Sequence, residues 1–120
     1  MIEVLPESQG KVMGIKASGK VTAQDYEEVL IPRLEAVLKE HGTVCFLYLI
    51  DEDFQGFELG AMWDDAKAGL KHRQAFEKVA LVGAARWMEV GMKLFAPLMK
   101  GELKNFPREQ LAAAWEWLKS

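Results

Sequence analysis

Asp64, Asp65, Lys67, Lys71 and His72 form the stretch of this chain densest in groups that move protons or carry charge. On a helix, Asp64 lies beside Lys67 and Ala68, and Lys67 beside Lys71, because residues three and four apart share a face. That spacing suits a general acid–base pair, or a cationic stripe for an anionic headgroup. A solvated face with a single Asp64–Lys67 ion pair explains the same residues. It is the better reading for catalysis, since no nucleophile or metal ligand accompanies them. The headgroup stripe stays open beside it.

Other chemistry is thin. His41 and His72 fall on different elements, and neither has a Cys or carboxylate at ligand spacing. His41 also sits by a helix C-terminus, where a cation is favoured in any case. Asp51-Glu52-Asp53 has the oxygens for a hard cation but not the spaced ligands and glycine of a calcium loop. Cys45 lies within an apolar run, where a buried, inert thiol is expected. The sequence holds no Gly-rich phosphate loop, nucleophile elbow or Cys-x-x-Cys. Neither cofactor, metal nor enzymatic activity is expected.

A different signal comes from Arg86 to Met99. Its charges, Arg86, Glu89 and Lys93, fall on one narrow stripe. Trp87, Met88, Val90, Met92, Leu94, Phe95, Leu98 and Met99 fill most of the remaining circumference. A helix buried on one face needs an apolar stripe only a little wider than 100°. The excess should face a partner, a lipid or an apolar ligand. Trp63, Trp87, Met88, Met92, Phe95 and Met99 are the candidates for meeting an apolar small molecule or acyl chains. Lys67, Lys71, Arg86 and Lys93, with Lys100, are the candidates for anionic headgroups. A homodimer sealed by the same helix is the alternative.

Ile2 to Leu5 and Lys11 to Ser18 read as two strands joined by the turn residues Pro6 to Gly10. Gly10, Gly14 and Gly19 fit turns and bulges of that hairpin. Thr22 and Asp25 form a capping box before a helix carrying Tyr26, Val29, Leu30, Leu34, Val37 and Leu38 at helical spacing. Gly42 ends it. Pro32 predicts a kink between Glu28 and Pro32, since its ring clashes with the carbonyl four back.

Val44 to Ile50 reads as a strand covered on both faces. A helix over about 58–75 should turn Leu59, Met62, Trp63, Ala66 and Leu70 inward. Lys78 to Val82 is a strand, the Arg86–Met99 helix follows, and Gly101 to Phe106 is a last strand. A final helix starts at Pro107, with Leu111, Ala114, Trp115 and Leu118 inward and Trp117 pointing away. The order β-β-α-β-α-β-α-β-α predicts one α/β domain. Its sheet should have about five largely parallel strands, an N-terminal hairpin and four main helices.

The 120 residues are enough for one unstapled core. The net charge of −3 is unevenly spread. Residues 1–63 carry five Lys/Arg against eleven Asp/Glu, and residues 64–120 carry ten against seven. Such asymmetry can mark a membrane- or partner-facing half. It is too mild for nucleic acid, where clustered bases must neutralise several phosphates. No signal peptide is visible, and the apolar run Val44 to Ile50 is far short of the roughly 20 residues of a membrane span. A cytoplasmic protein is expected, peripheral at the inner membrane surface if it binds lipid.

Three stretches carry a family resemblance. They are Met1 to Leu5 with Lys20 to Tyr26, the block Trp63-Asp64-Asp65-Ala66-Lys67-Ala68-Gly69-Leu70-Lys71-His72, and Val79 to Gly83 leading to Trp87. In them the chain resembles the SpoIIAA-like family of small bacterial proteins, related in fold to STAS domains. The resemblance implies a regulatory or interaction module. STAS anti-sigma-factor antagonists are switched by phosphorylation of a Ser or Thr at the helix after the central strand. The matching segment here, Asp51 to Glu58, contains no hydroxyl, so that switch is not expected. The related CRAL-TRIO lipid carriers hold apolar ligands between helices and sheet, an analogy of fold alone.

Overall fold

A capping box opens the helical part of the molecule as the sequence predicts. Thr22 Oγ1 accepts from the Asp25 N–H at 3.1 Å, and Asp25 Oδ2 accepts from the Thr22 N–H at 2.9 Å. The short helix α1 (Ala23–Asp25) runs through a π-helical segment, Tyr26–Leu30, into α2 (Ile31–His41). The expected kink at Pro32 takes this form because proline cannot donate to the turn before it. The chain inserts a wider π turn instead, in which the Ile31 N–H reaches the Tyr26 carbonyl. Gly42, in the left-handed conformation (φ 78°), stops α2.

This computed structural model describes the backbone of residues 1–120 and every side chain except that of Phe95. The remaining helices are α3 (Leu59–Lys71), α4 (Arg86–Phe95, prolonged by a 3-10 turn Ala96–Leu98) and α5 (Leu111–Lys119). The strands are β1 (Ile2–Val4), β2 (Val12–Ala17), β3 (Lys20–Val21), β4 (Val44–Ile50), β5 (Gly56–Phe57), β6 (Phe76–Val82) and β7 (Glu102–Phe106). Five of them form one sheet in the order β1-β2-β4-β6-β7, antiparallel at the β1–β2 hairpin and parallel elsewhere. The pair β3–β5 stands apart. Strands of two residues leave no periodicity to read, and the sequence did not predict them.

Each crossover advances one strand in the same direction, so right-handed connections place α2, α3 and α4 on one face of the sheet. On that face Phe46, Tyr48 and Ile50 of β4 join Leu34 and Val37 of α2 and Met88 and Met99 from the α4 region. On the other, Cys45, Leu47 and Leu49 meet Ala114, Trp115 and Leu118 of α5. All seven residues of β4 are buried, as its unbroken apolar run predicts.

Gly14 is not a turn glycine. It lies within β2, and the Trp115 ring occupies the place of its missing side chain. A Cβ there would stand 2.9 Å from Trp115 Cζ2 and closer still to Cη2. Gly14→Val should therefore destabilise the fold by about 1–3 kcal/mol through overpacking. Gly91, inside α4, has no atom close to its missing Cβ among the described residues and should do the opposite. Gly91→Ala is expected to stabilise by about 0.5–1 kcal/mol. Urea denaturation of both variants measures the contrast.

Candidate functional site

Helix α3 is turned the other way from the sequence prediction. Leu59 (84% exposed), Met62, Trp63 (66%) and Leu70 face solvent, and Ala66 with them. The buried position is Ala61, and the body-facing side carries small residues. Gly60 comes so close to α1 that a Cβ would stand 2.9 Å from the Ala23 Cβ. The predicted inward set was a real stripe, but periodicity fixes a stripe without fixing its direction. Small residues on the opposite side allow the closer approach, and they decided it.

A polar contact holds the same side. The Tyr26 hydroxyl donates to Asp65 Oδ1 at 2.8 Å and lies 2.7 Å from the Tyr48 hydroxyl. Since an ionised carboxylate only accepts, the chain reads Tyr48 to Tyr26 to Asp65. Both tyrosines are buried, whereas Asp65 as a residue keeps contact with solvent. Burial, and then the Asp65 charge, push both phenols well above their ordinary range, so they remain protonated donors. Desolvation likewise raises the Asp65 carboxyl, with the Tyr26 hydrogen bond opposing it. Asp64 is half-buried, and its Oδ2 is buried without a hydrogen-bond partner among the described residues.

Around this chain stands an aromatic array. Phe57 meets Tyr26, Tyr48, Phe54 and Trp87 edge-on, with ring centroids 6.5, 6.4, 5.0 and 6.3 Å away. The Phe57–Trp87 contact links the chain entering α3 to the first turn of α4. Sequence reasoning missed Tyr26, Tyr48, Phe54 and Phe57. Their aromatic and amphipathic types were the available signal, but only the tertiary fold brings them together.

Helix α4 has apolar residues on both sides. Met88 and Met99 are each 8% exposed and complete the core, with Met92 half-buried. The expectation that Met88 and Met99 meet a ligand is therefore corrected: they fill the space between helix and sheet themselves. Trp87 (56% exposed), Val90, Leu94 (77%) and Leu98 form the outer face. The Phe95 side chain lies outside the described residues. Arg86 and Lys93 are exposed, while Glu89 is half-buried. A hollow of about 360 Å³ beside α4 is lined by Leu81, Gly83, Ala84, Glu89, Asn105 and Phe106 with Pro107. The candidate ligand-binding methionines are not among its lining.

The acid–base constellation does not assemble. Asp64 turns inward and Lys67 is exposed, and no Asp64–Lys67 ion pair forms among the described residues. Lys71 reaches across to Glu35 of α2, 3.7 Å away. His72 is half-buried after α3; burial and Lys71 hold its imidazole below the ordinary range, with Glu35 opposing. Cys45 gives its thiol to Glu77 Oε2 at 3.4 Å, and burial raises its pKa, the opposite of what a nucleophile needs. Asp53 Oδ1 accepts the Gly19 N–H at 3.2 Å. Among the described residues, no helix is long and apolar enough to cross a membrane.

A mixed sheet wound in one direction, with three crossover helices on one face and a single helix behind, defines a small α/β domain. The SpoIIAA-like family model matches residues 12–119, and the chain belongs to that family. It is also similar to a crystal structure from Shewanella loihica PV-4, an uncharacterized protein of the DUF3478 family with a SpoIIAA-like fold. The two are 35% identical, superimpose with a TM-score of 0.72, and align over 98% of this chain and 93% of that one. No curated protein matches.

The Tyr26 hydroxyl serves two neighbours, so Tyr26→Phe should cost about 1–3 kcal/mol, the range for leaving a buried polar group unpaired. Asp65 gives a pH signature. Its folded-state pKa lies above the usual value of 3.8. Its stabilising contribution is therefore complete below that value and is lost as pH rises through the folded pKa. Asp65→Asn keeps an acceptor for Tyr26 and removes the titration. Thermal unfolding across the acidic to neutral range should show wild type losing stability relative to this variant as pH rises.

Proposed function

We propose that this protein is a non-catalytic interaction module that docks onto an anionic membrane surface through the outer face of α4. The observation that carries the reading is the composition of that face. Trp87, Val90, Leu94 and Leu98 stand exposed, Arg86 and Lys93 flank them, and the one acid of the helix, Glu89, is half-buried. An amphipathic helix with aromatic and aliphatic residues beside basic ones suits a lipid headgroup boundary.

Magnitudes favour this arrangement. Each large apolar side chain left in water forgoes about 1.5–3 kcal/mol relative to full burial. Each Lys or Arg near an anionic leaflet adds about 1 kcal/mol. Together these terms are of the order of what one acyl chain supplies, and the attraction is reversible and salt-dependent. The core-filling Met88 and Met99 argue against an apolar small molecule held beneath the helix. Regulation in this reading comes from recruitment to a surface, with no phosphorylated hydroxyl in the loop Asp51 to Glu58.

Co-sedimentation with vesicles of equal phosphatidylglycerol and phosphatidylcholine should pellet wild type, with much weaker binding to phosphatidylcholine alone. Leu94→Asp should lower affinity at least about tenfold, from the lost burial of one large side chain. Added salt should weaken binding. Wild type that stays in the supernatant with anionic vesicles overturns the reading. A homodimer sealed by α4 is the competing outcome, and sedimentation equilibrium would show it as a concentration-dependent mass that Leu94→Asp abolishes.

A further inference from the structure

We infer that the hollow at the start of α4 binds a small alkylammonium ion, with Glu89 as its counter-charge. The site opens where β6 and β7 end. Leu81 and Asn105 are neighbours across those strands, and the Gly83 N–H closes the pair on the Phe106 carbonyl at 3.0 Å. Gly83, at φ 75°, then turns the chain off the sheet. From β6 the chain leads to α4 on one face, and from β7 to α5 on the other. Their carboxyl ends therefore flank a topological switch point, the place where open α/β sheets bind ligands. The hollow measures about 360 Å³. That is near the small end of the range for such sites, about 300–1,000 Å³.

Glu89 decides the chemical class. The first turn of a helix favours an acid whichever way it points, so its presence alone says little. Its pairing says more. Arg86 three residues before and Lys93 four residues after are both exposed and within helical reach. Yet Glu89 joins no ion pair among the described residues, and it lines the hollow, half-buried. A partly desolvated carboxylate without a partner favours a cation beside it. Asn105 adds an amide oxygen as a second acceptor, while Leu81, Ala84 and Pro107 supply an apolar wall for methylene groups. Two such side chains are too few for a bare hard cation, which takes about six oxygens. An anion would meet the Glu89 charge. Arg108, behind Gly83, is outside the lining, and its Nη2 donates to the Ile50 carbonyl at 2.8 Å.

Butylammonium chloride titrated into the isotope-labelled full chain at neutral pH, without lipid, tests the site. The amide signals of Gly83, Ala84, Glu89 and Asn105 should move saturably, with a Kd of about 1 mM, within reach of a ligand of about five heavy atoms. Butyrate, similar in length and opposite in charge, should leave them in place. Glu89→Gln keeps the shape and removes the charge, and its Kd for butylammonium should rise at least about tenfold. No saturable response to butylammonium, an equal response to butyrate, or undiminished binding by Glu89→Gln overturns the inference. The two wild-type titrations decide even if the variant folds poorly. No vesicle enters the experiment, so the outcome is independent of the membrane reading of α4.

Discussion

The Tyr26 hydroxyl is the constraint on which the orientation of this molecule turns. It accepts a hydrogen bond from Tyr48 of the central strand and donates one to Asp65 on α3, so one oxygen ties sheet to helix layer to surface. Satisfying a buried phenol is worth more than the average hydrogen bond, because an unpaired one bears the full cost of desolvation. Once Asp65 is committed to Tyr26, the rotation of α3 about its axis is fixed. Ala61 and Gly60 then face the protein, and the bulky residues of the helix have nowhere to go but outward.

That rotation changes the meaning of the apolar residues in residues 59–98. They divide into a set that closes the core, Met88 and Met99 with Met92 beside them, and a set that faces water on two neighbouring helices. A small domain exposes single apolar side chains routinely, and these carry no message. Eight large ones concentrated on two crossovers of the same face are another matter.

Much of the architecture was readable from the residues. The capping box at Thr22 and Asp25, the stop at Gly42, the fully covered strand Val44–Ile50 and the inner face of α5 all follow from local chemistry, and the structure has each of them. What resisted was direction. The stripe on α3 is plain in the sequence, but a stripe can face core or solvent, and Leu59, Met62, Trp63 and Leu70 carry no mark of which. Their partners across the helix, small and acidic, hold that information only when Tyr26 is known to stand opposite. Gly14 shows the same limit: a glycine between strand residues reads as a bulge until Trp115 arrives from a hundred residues away. The excess apolar surface of Arg86–Met99 was legible as a quantity, whereas the assignment of Met88 and Met99 to the inside required the sheet.

The π turn at Tyr26–Leu30 brings a consequence for how this chain tolerates change in length. Such a turn holds one residue more than an α-helical turn, and it sits where Pro32 withholds its donor. Removing a single residue from this segment would restore ordinary helical phase, but it would also swing Tyr26 by about 100° around the axis, one residue's worth of helix. The phenol would then lose both Tyr48 and Asp65. A proline that serves no site thereby sets the angular position of the residue that orients α3. Insertions and deletions just upstream of it should be far less neutral than the exposed surface of that helix would suggest.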